Sequence, residues 1–194
     1  MKKVFIDCGS NVGQGLRQFI NMFNINSEWE IHCYEPTPNL YLEQDLLNLP
    51  NVTLHKSAVW NKNGTIKFSL CIPSEKWEEA SQGSSVLGLL DLEECIDPNS
   101  NQFRLNDNIV DVESIDINDI LKKYSKDDYI IVKLDIEGSE FEVCRRLLEG
   151  NEIVKINELF VEWHTRLMDS ESIESENSIK DSIRRCGVNL HDWH

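Results

Sequence analysis

Along this chain, short apolar runs alternate with stretches whose apolar residues recur three and four positions apart. No other feature constrains the fold as strongly, because strands separated by helical crossovers lie parallel in one sheet. Residues 3–7 read as a buried strand. Leu16, Phe19, Ile20 and Phe23 then follow at i, i+3, i+4 and i+7, the stripe of an amphipathic helix. WEIHCYE (29–35) reads as a second strand, NLYLEQDLLNL (39–49) as a helix and NVTLHKSAV (51–59) as a third strand. The turn signal NKNG (61–64) makes TIKFSLCI (65–72) the expected hairpin partner of that strand. Further on, IVDVESI predicts a strand, DINDILKKY a helix capped by Asp116, and YIIVKLD (129–135) a strand. A helix striped by Phe141, Cys144, Leu147 and Leu148 then stops at Gly150. NELFVEWH (157–164), a helix marked by Ile179, Ile183 and Cys186, and a last strand in GVNLHDW complete the pattern. The expected fold class is α/β, a doubly wound, mostly parallel sheet whose usual closing strand is in doubt, since the last strand runs into the end of the sequence.

With 194 residues the chain reads as a single domain over 1–194, either whole or one domain of a larger protein. Residues 73–108 stand out as a polar, irregular insertion, a length that in compact domains belongs to lids or binding segments. A net charge of −15 repels phosphate backbones, and the densest basic groups are only Arg145-Arg146 and Arg184-Arg185, so nucleic acid is not an expected partner. Asp7 interrupts the apolar run after Lys2 and Lys3, which argues against a signal peptide, and no apolar run is long enough for a membrane span. Cys8, Cys33 and Cys144 fall inside strand or helix patterns, where reduced thiols act as small hydrophobes; the expectation is a cytoplasmic protein.

The first βα turn is VFIDCGSNVGQG, residues 4–15. Its Gly9, Gly13 and Gly15 follow G-x-x-x-G-x-G, which fails the dinucleotide fingerprint, and no Gly-Lys-Ser/Thr follows for a P-loop. What fits is D-x-G-x-N-x-G: Asp7 ends the strand, Gly9 permits the turn, and Gly13 lets a helix start close to a ligand, offering its amides to a carboxylate. Glu35 ends the second strand, where a carboxylate can accept both hydrogen bonds of a ribose diol. S-adenosylmethionine carries a carboxylate, a ribose and a sulfonium that suits an acidic cleft. The alternative is a purely structural turn with a surface glutamate.

The more specific string is VKLDIEGSEFEV (132–143), in which Lys133 and Asp135 share one strand face and Gly138 turns the chain into a helix. FVEWH then puts Glu162 and His164 on one face at the end of the next strand. Together with FIDCGSNVG, YEP and KSAVW, these strings resemble the FkbM-type S-adenosylmethionine-dependent O-methyltransferases, which have the class I Rossmann-like fold; the similarity covers about residues 4 to 164. The resemblance implies that Asp7, Gly9, Ser10, Asn11 and Gly13 line the methionine end of the cofactor. It implies that Glu35 holds the ribose with Pro36 beside the nucleoside, that Ser57, Ala58 and Val59 border the adenine, and that Asp135 lies beside the transferred methyl.

A hydroxyl acceptor must lose a proton, which calls for a general base or a metal. The strand-end candidates are Asp135, Glu137, Glu162 and His164: either His164 or Asp135 takes the proton, or Asp135 and Glu162 hold magnesium or manganese. Against this stand plainer readings: His164 as a satisfied strand-end histidine, Lys133 as an ion-pair partner, His32 and His55 as packing, and Trp60 as core, with Trp77 an alternative platform for a sugar face. The Asp135-Ile-Glu-Gly turn lacks the prolines typical of enzymes that methylate amide or base nitrogens. The expected acceptor is therefore a hydroxyl of a small molecule or glycan, with sugars leading on resemblance alone. A cofactor-binding module without turnover is the alternative, and the oligomeric state is left open.

Overall fold

The computed structural model describes residues 1–71, 84–86, 105–165 and 171–193. Six strands form one sheet: β1 (Lys3–Cys8), β2 (Trp29–Tyr34), β3 (Val52–His55), β8 (Tyr129–Leu134), β9 (Ile156–Val161) and β10 (Asn189–Asp192). Their order is β10-β9-β8-β1-β2-β3, and every pairing is parallel. The helices are α1 (Gln14–Phe23), α2 (Gln44–Leu47), α3 (Ile117–Leu121), α4 (Glu140–Glu149) and α5 (Ile173–Arg185). Apolar residues cover both faces of the sheet. Val4, Ile6, Val132 and Leu134 pack toward α3, α4 and α5, while Phe5 and Ile131 meet Leu16 and Phe19 of α1. Central strands buried on both sides are the reason the sequence reads there as continuous apolar runs.

The chain winds outward in opposite directions on the two sides of β1, because its neighbours are β2 and β8. A crevice opens where such a sheet reverses, at the carboxyl ends of the strands. Asp7 and Lys133 lie opposite each other in the β1–β8 register, so two charged residues enter the core just below that crevice.

A second sheet comprises β4 (Ala58–Trp60), β5 (Gly64–Cys71), β6 (Ser85–Val86) and β7 (Leu105–Asp116), in the order β4-β7-β5-β6. Two expectations are corrected here. Residues 51–59 are not one strand: the first sheet's ladder stops once the His55 carbonyl has accepted the Glu35 amide. Lys56 then turns away to donate to the carbonyls of Thr37 and Leu40, and the chain resumes as β4 in the other sheet. Nor is β5 a hairpin partner of that segment, since β7 lies between them; Ser114 pairs with Ala58 on one side and Gly64 on the other.

The helix expected over 39–49 is only Gln44–Leu47. Asn39 is left-handed (φ 60°), and the Glu43 amide is drawn to the Val12 carbonyl instead of a helical partner. Asp116 caps α3 as expected, accepting the Asn118 amide at 2.8 Å. Gly150 does end α4, although its backbone is extended; a Cβ there would lie 2.6 Å from the Asn118 side chain, which donates to the Arg146 carbonyl at the same helix end. Cys8, Cys33 and Cys144 are buried free thiols and Trp60 is core. Trp77, Cys95 and most of 73–108 lie outside the described residues. Among the described residues no helix is long and apolar enough to cross a membrane.

Candidate functional site

The turn after β1 is bent hard against the end of β8. The amides of Gly9 and Ser10 both donate to the Tyr34 carbonyl, and the Asp135 amide donates to the Cys8 carbonyl. Gly9 has φ 77°, and a Cβ there would stand 1.8 Å from the Asp135 carbonyl oxygen. Only glycine fits a left-handed position with another backbone that close. Above this contact lies a cavity of about 300 Å³.

Several segments of the chain wall the cavity. At one end Glu35 and Pro36 meet Ala58 and Val59, and Phe68 and Val86 of the second sheet add an apolar side that runs toward Glu137, whose carbonyl accepts from the Ser85 hydroxyl. Gly9 and Asn11 form the floor together with Gln14 and Gly15 from the first turn of α1. At the other end stand Asp135, Glu137 and Glu162, with Trp193 closing the wall. Of the residues singled out in the sequence, Asp7, Ser10, Gly13, Ser57 and His164 are not in this lining.

Each absence has a physical reason. Asp7 is fully buried beneath the turn. Ser10 is buried too, its backbone held by Tyr34. At Gly13 a Cβ would meet the Leu46 side chain at 2.3 Å, so the absence of a side chain there makes room for the packing of α2. Ser57 lies at the break between β3 and β4, and His164 sits behind the strand-end carboxylates.

Glu35, nearly buried, accepts the Asn11 amide at 3.0 Å through one oxygen and the Thr37 amide at 2.8 Å through the other. These bonds fix the carboxylate and leave each oxygen a further lone pair for a ligand. The start of α1 has Gly13 as its N-cap, with no side-chain cap and no acid in the first turn. Its amides therefore present an uncompensated positive end to the cavity.

Lys133 ties floor to wall. Its Nζ donates to the Gly9 carbonyl at 3.1 Å and lies 3.1 Å from both Asp7 Oδ1 and Asp135 Oδ2. The contact with Asp7 is ionic only, for neither Asp7 oxygen accepts a well-aligned hydrogen bond among the described residues. Burial pushes the Asp7 carboxyl above the usual range, opposed by the lysine's charge. Burial also works against the ammonium of Lys133, but Asp7 and Asp135 outweigh it, so the lysine stays charged. The third glycine of the turn now has a role: a Cβ on Gly15 would come within 2.9 Å of Lys133 Cε.

The far end is anchored by a residue the sequence reading did not assign to the site. Glu140, fully buried, accepts the amides of Ile136 and Gly138 at 2.7 and 2.8 Å, closing a turn in which Glu137 and Gly138 are left-handed. Its Oε1 also meets His164 Nδ1 at 3.1 Å, while His164 Nε2 lies 3.4 Å from Glu137 and 3.9 Å from Glu162. Burial disfavours a charge on this imidazole, yet the hydrogen bond to Glu140 and the neighbouring carboxylates prevail and hold its pKa up at about 10. The carboxylates of Glu140, Glu137 and Glu162 thus favour a positive charge at this place. Glu162 is pushed upward by burial and by Asp135, with His164 opposing.

The acid at the start of α4 was visible as the fourth residue of EGSE, a spacing with which a side chain reaches back to its own turn. Trp193 carried no signal, because its place depends on β10 pairing beside β9.

These features define a class: an α/β protein with a ligand cavity at the reversal point of a parallel sheet, floored by a glycine turn and rimmed by acids. The sequence profile of the methyltransferase FkbM domain matches residues 7–189, nearly the whole chain, and the protein belongs to that family. No curated protein and no solved structure matches the chain.

Proposed function

We propose that this protein is an S-adenosylmethionine-dependent O-methyltransferase acting on a hydroxyl of a sugar, glycan or other small molecule. One observation carries the reading: a single cavity joins the uncapped start of α1 to the fixed carboxylate of Glu35 and then to an acidic rim. Those features match the cofactor's carboxylate, its ribose diol and the sulfonium that lies between the two along the molecule. The apolar wall of Ala58, Val59 and Phe68 suits the adenine.

Bound there, the cofactor would supply an electrophilic methyl to an acceptor hydroxyl, with sulfur as the leaving group and the hydroxyl proton passing to a base. The chain's own work is placement and charge. The amides of α1 and Glu35 would hold the cofactor's carboxylate and ribose, and placement of that kind accounts for much of the rate in an in-line displacement. Asp135 and Glu162 both line the cavity and are the groups available to draw off the acceptor's proton. The strongly acidic charge supports a small-molecule or glycan acceptor over nucleic acid, and the buried free thiols support a cytoplasmic setting.

Calorimetric titration with S-adenosylmethionine, S-adenosylhomocysteine and NAD tests the proposal. Micromolar binding of the first two, abolished in Glu35→Ala, is expected; a folded protein that binds neither refutes it. An acceptor screen over hydroxylated sugars then tests the reaction itself.

A further inference from the structure

We propose that Asp135, Glu162 and His164 Nε2 form a binding site for one divalent cation of the manganese type at the acceptor end of the cavity. Each of the three offers a ligand atom, and those atoms lie within 4.8 Å of one another. They come from rigid neighbouring elements. Asp135 follows β8 and Glu162 follows β9, and the Glu162 amide donates to the Leu134 carbonyl at 2.9 Å, which fixes the two strand ends side by side.

The histidine is oriented from outside this set. Glu140 is held by two backbone amides and engages Nδ1, so the ring cannot turn, and Nε2 points at the carboxylates. A carboxylate behind one ring nitrogen is the arrangement that presents the other to a metal. His164 is nearly buried and not itself part of the cavity lining, so it would act on the cavity through an ion seated between Asp135 and Glu162.

The donor chemistry selects the ion. Two hard carboxylates with one imidazole suit manganese; an imidazole is a poor ligand for magnesium or calcium, and zinc and copper sites usually carry more nitrogen or sulfur. Lys133 holds Asp135 by Oδ2, on the side of Asp7. Asp135 and Glu162 line the cavity, so the remaining coordination positions face it. There the ion would take an acceptor hydroxyl and lower its pKa, a role that rests on the methyltransferase reading; the binding itself does not.

The test uses the whole chain, stripped with a chelator and titrated with manganese chloride while water-proton relaxation is followed. One saturable site is expected, weakened by about tenfold or more in Glu162→Gln and in Glu140→Gln. Glu158→Gln, which alters an acid elsewhere on β9, should leave it unchanged. Electron–nuclear double resonance on the wild type should show one imidazole nitrogen coupled to the manganese, a readout that needs no variant to fold. Absence of saturable binding, equal binding in every folded variant, or absence of nitrogen coupling each overturns the site. Calorimetry with S-adenosylmethionine on the same preparation separates the two proposals. Cofactor binding without manganese binding defeats only the metal site, and manganese binding without cofactor binding defeats only the enzyme reading.

Discussion

Replacing Lys133 by methionine keeps the length and most of the volume of the side chain while deleting the charge that lies between Asp7 and Asp135. The ammonium is 2% exposed and Asp7 is 0% exposed, so neither water nor a nearby surface cation can take its place. Removing one partner of a buried pair typically costs about 3–5 kcal/mol, because the other charge is left uncompensated. The Gly9 carbonyl also loses its lysine donor. For a chain of this size each 1 kcal/mol lowers Tm by about 2–4 °C, so a loss of roughly 6–20 °C is expected. Urea denaturation should show a lower midpoint at an unchanged slope. Adding Asp7→Asn in the methionine background removes one stranded carboxylate and should recover about 1 kcal/mol or more, a coupling read from the double-mutant cycle. If Lys133→Met costs under about 1 kcal/mol, or Asp7→Asn gives no recovery, Lys133 is not the counter-charge that allows Asp7 into the core.

Gly9→Ala must place a Cβ at φ 77° against the Asp135 carbonyl, so beyond a backbone strain of about 1–2 kcal/mol the turn must shift; calorimetry should then find cofactor affinity lost even in the folded fraction. Asp116→Ala removes the α3 cap and both hydrogen bonds from Arg146; a loss of about 2–3 kcal/mol by urea denaturation is expected, and no loss would mean that the cap does not hold α3. His32 and His55 share a hydrogen bond at 3.0 Å, and burial followed by the charge of His32 depresses the His55 pKa to about 4. A folded-state pKa below the unfolded value near 6.5 means that stability is full above about pH 6.5 and falls as the pH drops toward 4. That pH-dependent loss, measured by thermal melting, should shrink in His55→Gln.

The parallel sheet was legible because its strands carry unbroken apolar runs and its crossovers carry a clean helical stripe, as in Leu16 and Phe19. What defeated the reading was context supplied from a distance. Nothing within NVTLHKSAV announces that Lys56 will reach for the 37–40 loop and shift the strand from one sheet to another. The same holds for β7, which enters between β4 and β5 from beyond residue 104. At the site, backbone chemistry was the legible part: Gly9 sits where a turn demands glycine. Gly13 and Gly15 share its spacing, yet one makes room for Leu46 and the other for Lys133. His164 was recognisable as a strand-end histidine near acids, but its charge depends on Glu140, whose reach depends on the left-handed pair before it.

The side-by-side pairing of β4 and β7 brings Ala58 and Ser114 together, so the chain between them leaves and re-enters the molecule at almost the same point. A segment with adjoining ends behaves as a cassette. Doubling its length adds only about 0.6 kcal/mol of closure entropy, and the parallel sheet is held together through its own strands. Evolution can therefore exchange most of this piece, including the Val86 wall of the cavity, without redesigning the parallel sheet. Grafting the 61–113 segment of another family member onto this frame, with Phe68 retained as the adenine wall, should change which acceptor is admitted while leaving the affinity for the methyl donor close to its original value.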